Sequence, residues 1–266
     1  MSRIAGGTLP LLFLLMLLVP EVHALDREEF GRVLATIPPN GAYWEYGNVT
    51  MPHRSRKAGK APVIFPHWAH RRYYTCRVCH LELGISMRQW ETGITMRRNW
   101  KGEFCGACHD GTVAFSVAPG PKQECHRCHL PNPELLKDKF DAINGLPPAS
   151  FGNGIDWAAA LREGAITPIN SFDGTPPDLH VPEKLSKPLK LGTNSPRSDV
   201  LFSHADHFAE LDCSSCHPDL FNIKRKSTVS FTMESNIYGS FCGACHMQVA
   251  FPMNDCRRCH KKMSNH

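Results

Sequence analysis

A histidine closes every one of six Cys-x-x-Cys groups in this chain. They read CRVCH at 76–80, CGACH at 105–109, CHRCH at 125–129, CSSCH at 213–217, CGACH at 242–246 and CRRCH at 256–260. Together they use all 12 cysteines. Histidine makes up 15 of 266 residues, so chance would place it after all six pairs with a probability on the order of one in tens of millions. A structural zinc site draws on two such pairs or a mixed Cys/His set and needs no histidine after each. A redox-active pair is expected once, within a thioredoxin-like pattern. Disulfides suit exported chains, but a bridge from i to i+3 imposes no histidine. The pattern is that of c-type haem attachment. Two thiols three residues apart add across the two vinyl groups of one porphyrin, and the next residue reaches the iron.

Six covalently attached haem c groups are therefore the predicted cofactors. Their attachment points are Cys76, Cys79, Cys105, Cys108, Cys125, Cys128, Cys213, Cys216, Cys242, Cys245, Cys256 and Cys259. Their proximal ligands are His80, His109, His129, His217, His246 and His260. Haem also answers a folding problem. With 21 Pro and 20 Gly and no long amphipathic period, the chain cannot bury a large side-chain core alone. The expected fold is a cofactor-dominated multihaem cytochrome c, mostly irregular, with short α-helices and small β-hairpins.

The chain repeats itself. Phe65 to His109 aligns with Phe202 to His246 at a constant offset of 137 residues, without a gap. FCGACH at 104–109 matches 241–246, and VAF at 113–115 matches 249–251. Upstream of each Phe-x-His-x-x-His stand two strand-like runs around a polar turn. They are NVTM at 48–51 with PVIF at 62–65, and LKL at 189–191 with DVLF at 199–202. The predicted organisation is a signal peptide at 1–24, an N-terminal extension at 25–47, a three-haem module at 48–130, a linker at 131–186 and a second three-haem module at 187–266. The signal rests on a basic start, the apolar run LPLLFLLMLLVP and a small residue at Ala24. Within the linker, IDWAAALREG at 155–164 reads as a short packing helix ended by Gly164.

The distal ligands decide between a carrier and a catalyst. His67 and His70 lie three apart, share a helical face and can reach two irons. His204 and His207 repeat the arrangement. Residues 81–104 and 218–241 hold no histidine, but both hold a methionine nine residues before the next motif: Met96 and Met233. A thioether is an accepted axial ligand that raises the haem potential. The alternative for Met96 and Met233 is filling space against aromatic surfaces. His53 and His180 do not align as repeat partners and read as surface or local structural residues.

The order Phe-x-His-x-x-His, haem motif, ITM or FTM, FCGACH, VAF, haem motif resembles the three-haem cytochrome c7-type module. That module is related to the class III multihaem cytochromes c, and the likeness is greatest to tandem versions. The resemblance covers about 48–129 and 187–266 and implies two tandem c7-like modules. It pairs His67 with His80, His70 with His109, His204 with His217 and His207 with His246. It also pairs Met96 with His129 and Met233 with His260. The extension 25–47 and the long linker depart from it.

The function expected is electron transfer, without catalysis, by four bis-histidine and two His/Met haems. The contrasting readings are a multihaem reductase with an open haem face, and a subunit of a conducting filament. Expected partners are other redox proteins, such as cytochromes or membrane quinol and terminal oxidoreductases, with self-assembly open. No stable membrane insertion is expected after signal cleavage. The expected location is outside the cytoplasm, in the periplasm or at the cell surface. The chain's net charge is +5. Ionised propionates bring the holoprotein to about −1 oxidised and about −7 reduced, which does not suit nucleic acid.

Overall fold

The computed structural model describes Glu28, Arg32, 41–121, 123–175, Asp178, 180–191, 199–222 and 232–263. The expected signal segment, most of the 25–47 extension, the basic run 224–226 and His266 lie outside the described residues. Among those described, no helix is long and apolar enough to cross a membrane.

Each module opens on a two-stranded antiparallel hairpin. β1 (Asn48–Met51) pairs with β2 (Val63–Pro66), Val49 opposite Phe65. β3 (Leu189–Leu191) pairs with β4 (Val200–Phe202), Leu189 opposite Phe202. The run expected to be a polar turn in the first hairpin contains a helix, α1 (His53–Lys57). Pro52 enters it with helical dihedrals, a position that needs no N–H. Gly59, at φ +63°, supplies the left-handed step that ends it.

The paired histidines follow directly. α2 (His67–His70) starts where β2 ends, because Pro66 is extended and gives up no strand N–H. α6 (His204–Phe208) starts after β4, where the Ser203 hydroxyl accepts from the Asp206 N–H at 3.2 Å. The methionines head matching helices, α3 (Met96–Trp100) and α7 (Met233–Ile237). Thr95 caps the first, accepting from the Arg98 N–H at 3.2 Å, and Thr232 caps the second, accepting from the Ser235 N–H at 3.1 Å. Short turns carry the haem motifs, two of them regular enough to be helices, α8 (Gly243–His246) and α9 (Cys256–Cys259). Two helices stand between the modules, α4 (Lys137–Asp141) and α5 (Trp157–Arg162). α5 is the helix expected at 155–164. Asp156 caps it through the Ala159 N–H at 3.0 Å, and Gly164 follows at φ +72°.

The side-chain core is small and off-centre. One cluster joins Ile64, Trp68, Leu130, Leu136, Phe140, Trp157, Ala160 and Ile166. Five of these eight come from 131–186, so the segment read as a linker is the packing layer of the first module. A second cluster holds only Ile237 and Met253 among buried residues, with Met233, Cys242 and Met247 packed against it. Instead of a larger core, a continuous cavity of ≈ 2140 Å³ runs through the protein. That exceeds an ordinary small-ligand pocket of about 300–1,000 Å³ by more than twofold. Residues of all six haem motifs line it, although Cys108, His109, Cys213 and His217 do not. The fold is mostly irregular, with short helices and two small hairpins in two tandem modules.

Candidate functional site

Each motif folds as a single turn that gathers two sulfurs and one imidazole. The histidine N–H donates to the first cysteine's carbonyl at 2.9 Å in His109, His129, His217 and His246, and at 2.8 Å in His260. In the first motif the turn widens into a π-helix over Val78–Glu82, which carries His80. No two of the 12 cysteines are joined by a disulfide. Among the described residues, no three His, Cys, Asp or Glu side chains converge as the zinc reading would require.

The imidazoles are oriented from behind. The Nδ1 atoms of His80, His129, His217 and His246 lie 2.7, 2.7, 2.7 and 2.8 Å from the carbonyls of Ile85, Ala61, Phe221 and Phe251. His109 Nδ1 lies 3.1 Å from the Phe115 carbonyl. Three of the expected distal residues follow suit. His67 faces the Gly47 carbonyl at 3.1 Å, His70 that of Pro66 at 3.0 Å and His207 that of Ser203 at 2.8 Å. A carbonyl only accepts, so Nδ1 carries the proton and the Nε2 lone pair is left free to bind metal. His204 and His260 have buried Nδ1 atoms without such a partner. Ser198, the repeat counterpart of Ala61, lies outside the described residues.

The ring separations are the decisive geometry. His67 and His80 face each other with centroids 6.3 Å apart and planes 7° from parallel. His70 and His109 stand 6.2 Å apart at 61°, and His207 and His246 6.2 Å apart at 67°. Two imidazoles bound through nitrogen to one metal, at roughly 2 Å each, place their centroids about 6 Å apart. At 7° from parallel, the His67 and His80 rings stand farther apart than rings in face-to-face contact. Burial pushes His67 down to about 3, with the neighbouring His80 adding to the effect. Burial likewise brings His246 to about 4 and lowers His70, His80 and His109. His204 is lowered by burial first and then by His217 and His207. These rings are neutral bases, the form that binds metal. Burial also lifts Cys79 and Cys245 to about 11 and Cys105 and Cys242 to about 12. The sulfurs are thus uncharged and seated in apolar surroundings, as a thioether would be. The residues present fit covalent haem.

Phenylalanines pin the rings, a role the repeat revealed only as identity. Phe65 stacks on His70 at 4.3 Å and meets His67 edge-on at 4.8 Å. Phe202 repeats both contacts, at 4.6 Å to His207 and 4.9 Å to His204. The VAF repeats end in Phe115 and Phe251, each 4.3 Å from its proximal histidine, His109 or His246. Arg127 and Arg258 cover the far faces of these two rings, at 4.0 and 5.2 Å.

Met96 and Met233 each lead a helix that rides on the second haem motif of its module. The glycine in each FCGACH makes this possible. A Cβ on Gly106 would lie 1.8 Å from the Asn99 carbonyl oxygen, and one on Gly243 1.8 Å from that of Asn236. Phe104 and Phe241, just before these motifs, both sit at φ +50°. Left-handed backbone at a phenylalanine costs about 1–3 kcal/mol, and its repetition marks a required entry angle. Met96 and Met233 line the same cavity as His129 and His260. Met233 also touches the small apolar cluster of the second module. His126 and His180 are exposed, and His53 is exposed at the cavity rim.

The sequence profile of cytochrome c7 and related cytochrome c matches twice, at residues 63–130 and 200–261. A c7-type three-heme cytochrome domain of known structure is 34% identical over 31% of this chain and 91% of its own, with a TM-score of 0.27. The chain belongs to the cytochrome c7 family. Both matches fall on the haem-motif triplets, so this cytochrome is a tandem of two c7-like modules holding six covalently bound haem c groups. The C-terminal hexaheme fragment of GSU1996 is 24% identical over 80% of this chain and 96% of its own, at a TM-score of 0.26. The dodecaheme cytochrome c GSU1996 is 26% identical over 83% of this chain and 76% of its own, at 0.27. No curated protein matches the chain.

Proposed function

We propose that this cytochrome is a six-haem electron carrier whose every iron is held from both sides. The reading rests above all on the three facing imidazole pairs at 6.2–6.3 Å. It assigns His67 with His80, His70 with His109, His204 with His217 and His207 with His246. Met96 with His129 and Met233 with His260 complete the set. Bound haem supplies reversible one-electron chemistry at iron. The chain's residues do the rest. The cysteine pairs fix each group at two points. The backbone carbonyls hold each imidazole in the tautomer that presents Nε2. The phenylalanines stop ring rotation, so that little reorganises when charge arrives.

Two ligands on every iron leave no position for a substrate, which argues for a carrier without catalytic turnover. Four bis-histidine sites at lower potential and two His/Met sites at higher potential grade the chain. An exported, periplasmic carrier between redox protein partners suits the N-terminal segment and the family. The test is absorption spectroscopy of the oxidised holoprotein, searching for the thioether-to-ferric charge-transfer band. Met96→His should remove about half of the band and Met233→His the remainder. A wild-type protein without the band would return both methionines to the packing role.

A further inference from the structure

Among the described residues the two modules meet around the first haem motif of module 1, and not at the Cys125–His129 motif where chain order would put the junction. Module 1 ends on the Cys125–His129 motif and module 2 begins on Cys213–His217, yet it is the Val78–Glu82 turn of the first module-1 motif that packs against the Cys213–Ser215 turn. Arg71, just beyond α2, reaches Glu210 of the second module through paired bonds of 2.9 and 3.2 Å. Its other amino group donates to the Val249 carbonyl at 3.2 Å. Glu210 Oε2 in turn lies 3.0 Å from the sulfur of Cys76. Beside them the Arg77 N–H donates to the Glu210 carbonyl at 3.0 Å, and the Arg77 guanidinium faces Asp212 at 3.4 Å. The Tyr46 hydroxyl donates to the Ala250 carbonyl at 2.7 Å. These contacts join the first motif of module 1 both to the segment just before Cys213 and to the segment following the Cys242–His246 motif of module 2.

The repeat is broken at these positions. At the offset of 137, Arg71 corresponds to Phe208, Glu210 to Tyr73, Arg77 to Ser214 and Asp212 to Thr75. The four interface charges therefore have no charged counterpart in the sister module. They belong to the junction and not to the shared haem-binding plan. The Arg71–Glu210 pair is largely enclosed, with side-chain exposures of 17% and 15%. Enclosed ion pairs contribute little net stability, and their best-attested use is to fix register between packed parts. Trp157 backs Arg71, its ring 4.9 Å from the guanidinium carbon.

We infer that the Cys76–His80 and Cys242–His246 motifs form the electron crossing between the modules, with Arg71 and Glu210 as the positioning residues that hold them together. This rests on the carrier reading above. With haem bound at both motifs, the chemistry supplied there would be a one-electron exchange, oxidation of one centre balanced by reduction of the other. No atom or proton moves, and an external redox protein supplies and removes the electron. Glu210 beside Cys76, and Arg71 bound both to Glu210 and to the Val249 carbonyl, tie the first motif of module 1 to the segment after Cys242–His246, which fixes the approach of the two motifs.

The experiment is proton NMR of the fully reduced, diamagnetic holoprotein, reading cross-relaxation between substituents of haems assigned to each motif. Wild type should show inter-module cross-peaks between the Cys76–His80 and Cys242–His246 haems. Arg71→Gln and Glu210→Gln should lose them while keeping six haems and low-spin spectra. The exchanged pair Arg71→Glu with Glu210→Arg should restore them. Inter-module cross-peaks confined to the Cys213–His217 haem, whether with the Cys76–His80 or the Cys125–His129 haem, would overturn the assignment without any variant. Cross-peaks that survive both single variants would overturn the positioning role. High-spin iron in wild type would instead strike the carrier reading, and the cross-peaks would still report on the junction.

Discussion

Ring orientation at single histidines is where the account can be tested most finely. His67 is held at about 3 and His246 at about 4, against an ordinary 6.5, chiefly by burial. A base depressed in the fold takes up protons more readily once unfolded. The stability these residues contribute is therefore complete above pH 6.5 and is lost as pH falls from 6.5 towards 3–4. Iron ligation acts in the same direction, because a ligating nitrogen carries no proton. The denaturant midpoint of the holoprotein should thus be level above pH 6.5 and decline below it. A midpoint that rises on acidification would contradict the burial argument. The motif cysteines and histidines were legible in the sequence because covalent haem attachment requires fixed spacing. The supporting carbonyls of Gly47, Ala61 and Ile85 were not, because backbone groups leave no signature in residue type. Phe65, Phe115, Phe202 and Phe251 showed as repeat identities, which told that they mattered but not that they clamp imidazoles.

Elements in this fold are short, and their positions follow local rules more than periodicity. The threonine caps on α3 and α7 and the serine cap on α6 follow ordinary N-terminal chemistry. Both hairpins and α5 stand where alternation and punctuation put them. α1 escaped detection because HRSRK has no apolar face to reveal a helix, and only Pro52 hints at its start. The packing of α3 and α7 on their haem turns gives a sharp test. In Gly106→Ala or Gly243→Ala the new methyl would lie 1.8 Å from a backbone oxygen. Neither helix can yield without displacing its methionine. Each substitution should destabilise the holoprotein by about 1–3 kcal/mol or more and weaken the thioether charge-transfer band. Unchanged thermal unfolding and an unchanged band would show that α3 and α7 do not depend on this close approach.

At the scale of the whole molecule, the segment 131–186 is a structural partner and not a tether. It contributes Leu136, Phe140, Trp157, Ala160 and Ile166 to the main cluster. It also reaches the second module, where Asp156 binds Arg258 at 2.6 Å. Trp157→Ala should cost about 3–5 kcal/mol in denaturant unfolding, and a loss below 1 kcal/mol would return the segment to a linker. Its Pro- and Gly-rich composition hid this, since Leu136 and Phe140 stand at helical spacing but no period carries on from them to Trp157 and Ile166. The contact between modules was equally hidden, because Arg71 and Glu210 lie 139 residues apart and nothing local pairs them.

The proposed carrier function requires iron held on both faces in all six sites. Electron paramagnetic resonance of the oxidised holoprotein at low temperature measures this directly. The account predicts low-spin ferric signals alone, integrating to all six haems. A high-spin signal approaching one haem per chain would reveal an iron with an open face and contradict it.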